Sequence, residues 1–306
     1  MPLISVILPV RDGSRTLGTA VRSTLRSMPK DAELLILDDG SVDHPERLVE
    51  EVSDARIRML RNDRSVGVGA GLQQLLDATD SRYVFRMDAD DVCLPGRFHA
   101  QLAALDGADL AFTPIIKFKD GSRVLRPGLP LPITAEAMPL HLLVHNPLCH
   151  PTMAARREAL ATAGGYRGVQ AEDHDLWLRS LRTGLRLVRT SVPALAYRSH
   201  AQQISTEDGF IQRAHANPLL RDAYREFVTE VFKVDATWLD TLWSGESGTP
   251  RMKTDLSPLK LLLEDHARKL PLIQRIILGR TTRLLSQRVE VAAAHTHTPT
   301  AEEKLG

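Results

Sequence analysis

The sequence predicts an open α/β fold, a mostly parallel sheet with flanking helices, followed by a mainly helical C-terminal region. Two observations predict it. Over the first hundred residues, short apolar β-rich runs alternate with longer helical patterns, the signature of strand–helix–strand units. Beyond about Thr206 the periodicity becomes mainly helical.

The first run, Ile4–Val10, has no basic leader and meets Arg11 and Asp12 at once, so it reads as a buried strand and not a signal peptide. Further strands are expected at Glu33–Leu37, Arg56–Leu60, Arg82–Met87 and Asp109–Thr113. Helices are expected near Ser14–Ser27, Pro45–Val52, Val66–Ala78 and Pro95–Leu105, opened by capping or first-position residues such as Ser14 and Pro95. From Phe112 to Arg126 a hairpin turning at Asp120-Gly121-Ser122 interrupts the alternation. Loop composition surrounds Ser244–Pro250, and a frayed tail is expected from His295. The chain thus divides into a sheet domain at 1–205, a helical extension at 206–294 and a disordered tail at 295–306.

Composition narrows the function classes. The 306 residues are 43% hydrophobic and 25% charged, ordinary globular proportions. Lys+Arg 39 against Asp+Glu 38 leaves a net charge of +1, so no global field gathers nucleic acid, and no nucleic-acid partner is expected. Two cysteines, Cys93 and Cys149, are too few for a disulfide scaffold or a cysteine zinc site, which points to a reduced, cytoplasmic location. No stretch reaches the roughly 18 apolar residues of a membrane span.

In open α/β sheets ligands sit beyond the carboxyl ends of the strands. Three strand exits are unusually polar: Pro9-Val10-Arg11-Asp12-Gly13, Asp38-Asp39-Gly40-Ser41-Val42-Asp43 and Asp88-Ala89-Asp90-Asp91. Asp88 and Asp90, two positions apart on extended chain, point to one side and offer two hard oxygens to one Mg2+ or Mn2+; taken alone, the acidic trio also reads as a solvated turn. Asp38-Asp39-Gly40-Ser41 is either a turn or a place where a carboxylate accepts hydrogen bonds from a base or ribose while Gly40 lets backbone approach the ligand. Glu172-Asp173 open a helix, where the dipole favours acidic residues and would keep Asp173 ionised, the state a general base needs. Trp177 lies over the same face, as an apolar wall for a sugar ring or as core.

These acidic motifs, in this order after Ile4-Ser5-Val6-Ile7-Leu8-Pro9-Val10, resemble the family 2 glycosyltransferases of the GT-A fold over residues 2–205. The resemblance also draws on Leu94-Pro95-Gly96-Arg97, on His150-Pro151-Thr152-Met153, on Gly164-Gly165-Tyr166-Arg167 ahead of Glu172-Asp173, and on Tyr197-Arg198-Ser199-His200. It implies a GT-A type, Rossmann-like sheet and inverting transfer of a sugar from a nucleoside diphosphate donor, most often a uridine one, to the hydroxyl of a saccharide or lipid-linked acceptor. By the same resemblance Pro9, Arg11, Asp39 and Asp88 border the nucleotide. Asp90 ligates a divalent cation, Mn2+ or Mg2+, with His200 either near it or on the surface. Asp173 is the catalytic base, and Glu172, Trp177 and His150 lie toward acceptor or sugar.

The sequence departs from the family where many members carry Tyr or Phe at Arg11, and an Arg-Asn pair in the helix that here reads Gly69-Ala70-Gly71-Leu72-Gln73-Gln74. The absence of a Gln-x-x-Arg-Trp sequence favours a single-addition enzyme over a processive one. The Gly67-Val68-Gly69-Ala70-Gly71 run ends on Leu72 and follows the third strand, so it is no dinucleotide fingerprint. A sugar-nucleotide nucleotidyltransferase and a non-catalytic sugar-nucleotide-binding scaffold are the competing readings.

In the C-terminal region Arg268, Lys269, Arg275, Arg280, Arg283 and Arg288 are opposed between 268 and 290 only by Glu290. Arg280 and Arg283 project into the arc of Leu272, Ile273, Ile276 and Ile277, so the faces do not segregate as an interfacial helix should. Peripheral membrane contact and a homo-oligomer interface through these helices both stand as expectations.

Overall fold

Buried apolar strands form the centre of the structure, a computed structural model that describes residues 2–120, 122, 124–200, 210–239 and 257–295. In chain order the strands are β1 (Ile4–Val10), β2 (Glu33–Asp39), β3 (Ile57–Asn62), β4 (Tyr83–Arg86), β5 (Val92–Cys93), β6 (Leu110–Phe112), β7 (Ile115–Lys119), β8 (Arg126–Pro127), β9 (Ala154–Arg156), β10 (Leu187–Arg189) and β11 (Leu195–Ser199). The helices are α1 (Ser14–Ser27), α2 (Glu46–Val52), α3 (Val68–Asp77), α4 (Arg97–Leu105), α5 (Met138–Val144), α6 (Arg157–Thr162), α7 (Glu172–Arg182), α8 (Phe210–Ala216), α9 (Pro218–Phe232), α10 (Ser257–Ala267) and α11 (Leu272–His295).

The chain forms two units, Met1–Ala135 with Leu148–Asp255, and Glu136–Pro147 with Leu256–Gly306. This differs from the expected boundary at 205. Described residues as far as Leu239 stay with the sheet, and an internal segment joins the C-terminal helices, a long-range association that local pattern does not encode. The expected loop at Ser244–Pro250 and the tail beyond His295 lie outside the described residues.

In the first unit a seven-stranded sheet runs β10-β6-β9-β4-β1-β2-β3. Every neighbouring pair is parallel except those made by β9, which is antiparallel to both β4 and β6. Val6, Ile7, Leu8, Leu34, Leu35 and Ile36 are all buried, as continuous apolar runs must be when both faces of a sheet are covered. Each such side chain stabilises the fold by roughly 1.5–3 kcal/mol. On the amphipathic face of α1, Leu17, Ala20, Val21 and Leu25 recur at helical spacing and are buried. The expected hairpin exists, but it starts at Ile115, pairs Lys117 with Arg126, and belongs to a second sheet of order β5-β11-β7-β8. Strands of two to five residues leave little periodicity to read.

The helix openings differ from expectation. Gly13 is the N-cap of α1, and Ser14 is instead drawn sideways, its N–H donating to the Asp43 carboxylate at 2.8 Å and its hydroxyl to the Asp43 carbonyl at 2.9 Å. The N-cap of α4 is Gly96, one residue after Pro95. The second unit packs Leu140, Leu142 and Leu143 of α5, Leu259, Leu262 and Leu263 of α10, and Ile277 and Leu278 of α11; buried Thr281 Oγ1 and His141 Nδ1 meet at 3.0 Å.

Arg97, in the first turn of α4, is fully buried, and no carboxylate pairs with it among the described residues. Its guanidinium donates to the carbonyls of Arg86 at 2.6 Å and Pro151 at 2.9 Å and to Gln101 Oε1 at 3.0 Å, while Gln101 Nε2 donates to the carbonyls of Ala111 and Thr152. This knot fixes the exit of β4 against the turn before β9. Arg97→Met would leave two buried carbonyls without donors and is expected to cost on the order of 3 kcal/mol, read as a lowered urea midpoint. Arg97→Lys should recover little, because one ammonium cannot span the same three acceptors.

Candidate active site

Register places the acidic exits side by side. Ile7 is level with Arg86 and Pro9 with Leu37, so Asp88 emerges beside the end of β1 and Asp39 beside it on β2. After β4 the chain turns at Ala89-Asp90 instead of continuing extended. Asp88 and Asp90 are therefore brought together by a turn and not by strand alternation, and the same turn brings in Asp91; ligand oxygens of all three lie within 4.8 Å of one another. Asp91 is fully buried and accepts the Arg198 N–H at 2.8 Å, while its Oδ2 has no hydrogen-bond partner. Burial, then Asp88 and Asp90, push its carboxyl well above the usual range.

Strand β11 is fastened to this turn. Arg198 Nε donates to the Asp90 carbonyl at 2.7 Å, its guanidinium lies 4.7 Å over the Phe118 ring and pairs with Asp120, and Asp120 also accepts from Arg15 at 2.8 Å. Two residues on, His200 Nε2 reaches Asp90 Oδ2 at 2.8 Å. The donor set fits a divalent cation: clustered carboxylates, one of them with an unpartnered buried oxygen, and an imidazole. Asp90 and His200, whose ligand atoms lie 2.8 Å apart, are the residues that would hold it.

At the exit of β2, Asp39 accepts from Asn62 Nδ2 at 2.9 Å, Ser65 Oγ at 2.6 Å and the N–H groups of Val66 and Gly67. Burial raises its pKa, but these bonds, Ser65 first, outweigh it and hold the carboxyl below its usual value. Asp39 thus shapes the 62–67 loop. Gly40, at φ +72°, is required by that loop, since a Cβ there would lie 2.8 Å from the Ser65 nitrogen. Pro9 is half-buried and Arg11 exposed beside it; the Asp12 N–H donates to Ser41 Oγ and the Val42 N–H to the Asp12 carboxylate, lacing the first two exits together.

The second acidic group lies at the start of α7. The helix dipole is expected to keep Asp173 ionised, but burial is the largest influence on it and raises its pKa. Glu172 is raised for the same reason, with Arg86 opposing. His150 is buried between Tyr166, whose hydroxyl is 3.0 Å from Nε2, and Glu172, 3.4 Å from Nδ1; burial lowers its pKa far enough to keep it neutral at pH 7. Both its nitrogens therefore serve to place protein groups. Trp177 is 0% exposed, edge-on to Phe112 at 4.7 Å and His150 at 5.6 Å, so its ring belongs to the core and offers no wall to a sugar.

Three further contacts seat α7. Buried Asp175 accepts from Arg167 Nε at 3.0 Å and Arg179 Nε at 2.9 Å, and Arg179 donates to the Gly165 carbonyl at 2.7 Å. Gln73 Oε1 accepts the Tyr166 N–H at 2.7 Å. Gly69 lets α3 approach, because a Cβ there would sit 2.4 Å from the Arg167 carbonyl oxygen. The helix that departs from the family pattern is thus used to hold the Gly165–Arg167 loop.

Sequence reasoning passed over Arg86, the buried guanidinium inside the site. Its NH1 lies 2.5 Å from Asp88 Oδ1. Burial alone would weaken its charge, but Asp88 first, then Glu172 and Asp173, reverse this. It therefore interacts with both acidic groups. The available signal was a lone charge within an apolar strand run.

Fold and site together define an α/β protein with an acidic cluster at the carboxyl ends of its central parallel strands, and its family follows from its relatives. Residues 5–164, just over half of the chain, match glycosyl transferase family 2, and the chain belongs to that family. It is 32% identical over 200 residues to the putative glycosyltransferase EpsE of Bacillus subtilis, covering 60% of this chain and 69% of that protein. It is 25% identical over 207 residues to WfaP of Escherichia coli, a UDP-Glc:alpha-D-GlcNAc-diphosphoundecaprenol beta-1,3-glucosyltransferase, covering 67% and 80%. Among solved structures, S. aureus TarS 1–349 in complex with UDP-GlcNAc superposes with a TM-score of 0.59 at 16% identity over 97% of this chain and 92% of that one. GalNAc-T7 with UDP, GalNAc and Mn2+ gives 0.61 at 15% identity over 87% and 54%. The GT-A type of fold is therefore established.

Arg86→Met would leave Asp88, Glu172 and Asp173 without the buried guanidinium whose charge they share. The expected loss of unfolding free energy is about 3–5 kcal/mol, measured by urea titration. A loss below about 1 kcal/mol, the worth of an exposed pair, would mean that Asp88 does not depend on the guanidinium.

Proposed function

We propose that this glycosyltransferase moves a sugar with inversion from a UDP-sugar to a hydroxyl of a saccharide or lipid-linked acceptor. The observation that carries the reading is the presence of two acidic groups, Asp88-Asp90-Asp91 with His200 and Glu172-Asp173, both acting on the charge of buried Arg86. Inverting transfer has two separate needs, a stabilised leaving group and a base for the acceptor. The UDP-GlcNAc and UDP complexes of TarS and the stated activity of WfaP support the donor class and a lipid-linked acceptor.

In this reading Pro9, Arg11, Asp39 and Asp88 border the nucleotide, and Asp90 and His200 would hold Mn2+ or Mg2+. When bound, the cation offsets the charge that develops on the departing diphosphate. The acceptor oxygen forms its bond to the anomeric carbon as the bond from that carbon to the β-phosphate oxygen breaks, releasing UDP. Asp173 takes the acceptor proton. Burial favours that role, because a carboxylate with a raised pKa is a stronger base while still ionised. Glu172 lines the acceptor side. A lipid-linked acceptor puts the reaction at the cytoplasmic face of a membrane.

Calorimetric titration with UDP, GDP and dTDP, with and without Mn2+, is expected to show metal-dependent binding that prefers UDP and weakens in Asp90→Asn. Folded protein that binds no nucleotide under either condition overturns the donor assignment. Asp173→Asn should keep UDP binding while sugar transfer falls by about 10²–10⁴-fold, measured as UDP release. Undiminished transfer would remove Asp173 from the base role.

A further inference from the structure

The second unit carries an exposed surface that the transfer reaction does not use. Helix α11 turns Gln274, Ile277, Leu278 and Thr281 inward. On the other side Leu272, Ile273 and Ile276 stand 65%, 56% and 49% exposed at the start of the helix. Arg280 and Arg283 continue the exposed arc one and two turns further on, four and seven positions beyond Ile276, and Arg275 flanks it. Arg268 and Lys269 precede it, both exposed, and no acidic residue occurs from 268 to 283. Lys269 reaches Asp265 at 3.6 Å, whereas Arg268, Arg275, Arg280 and Arg283 make no ion pair among the described residues.

From sequence, arginines within the apolar arc spoil the segregation of an interfacial helix. The structure removes the objection: the mixed arc is the exposed one, and the inward face is separate. Long arginine stems can lie along apolar surface while their heads reach outward. Aliphatic tips beside unpaired guanidinium groups match the boundary between acyl chains and phosphates. A second copy packed on this face through a two-fold axis would set cations against cations.

We propose that the α10–α11 corner, through Leu272, Ile273, Ile276, Arg275, Arg280 and Arg283, docks this protein on an anionic phospholipid surface. The inference rests on the reading of a membrane-borne acceptor, and it is tested without turnover, so that either can fail alone.

The full-length protein would be floated with vesicles of phosphatidylcholine containing roughly one-third phosphatidylglycerol, and with phosphatidylcholine alone. Binding to the anionic vesicles only, weakened by added salt, is expected. Arg280→Gln with Arg283→Gln should reduce partitioning about 30-fold, from roughly a fivefold effect per cation. Ile273→Ser with Ile276→Ser should also reduce it, and since all four side chains are exposed, unchanged thermal unfolding would show that the fold persists. No flotation, or flotation that ignores lipid charge and both double variants, overturns the proposal. Self-association in sedimentation that is lost in the same variants, without flotation, assigns the face to a second copy and overturns it as well.

Discussion

A single buried guanidinium governs the arrangement of this site. Arg86 leaves the sheet at the end of β4, and Asp88, Glu172 and Asp173 all sustain its charge against burial. Removing a cation from water is costly, and it is tolerated only where opposite charge compensates. The converse holds for Asp88, Asp91, Glu172 and Asp173, whose acidity burial weakens. Bringing so many carboxylates to one sheet edge requires a counter-charge held in place before any ligand arrives, and Arg86 is that charge. Its own carbonyl is gripped by Arg97, so the backbone that presents it is fixed from beneath.

Much of the support is polar but unrelated to chemistry. Asp175 with Arg167 and Arg179 seats the first turn of α7, Gln73 holds Tyr166, and His150 stays neutral between Tyr166 and Glu172. Acids that must be placed to within a fraction of an ångström are carried by such a shell. Arg198 does the same from the other sheet, joining β11 to the Asp90-Asp91 turn and so bringing His200 to Asp90.

What the sequence made legible follows from physical scale. Continuous apolar runs announced the central strands, and β1 matches its expected bounds because five to seven residues of sheet interior leave a strong signal. The second sheet stayed hidden: β5 and β8 are two residues long, and β11 finds its partners across long separations. Carboxylates at strand exits stood out as charges where the apolar pattern stops, but the turn at Ala89-Asp90 that gathers them did not. Trp177 was ambiguous because a ring over a helix face serves core or ligand equally well. Arg86 was visible as an oddity in a strand, yet its meaning depends on Glu172 and Asp173, more than eighty residues later in the numbering.

The two-segment make-up of the second unit bears on how the protein is made. Helix α5 belongs with helices that begin more than a hundred residues downstream. At a synthesis rate of about 5–20 residues per second, its Leu140, Leu142 and Leu143 face leaves the ribosome roughly five to twenty seconds before α10 and α11 exist to cover it. During that interval a sticky helix hangs from a loop of a sheet still acquiring β9, β10 and β11. Newly made chains would therefore draw on chaperones most at mid-synthesis, and premature termination before Leu256 would release a product with that apolar helix bare.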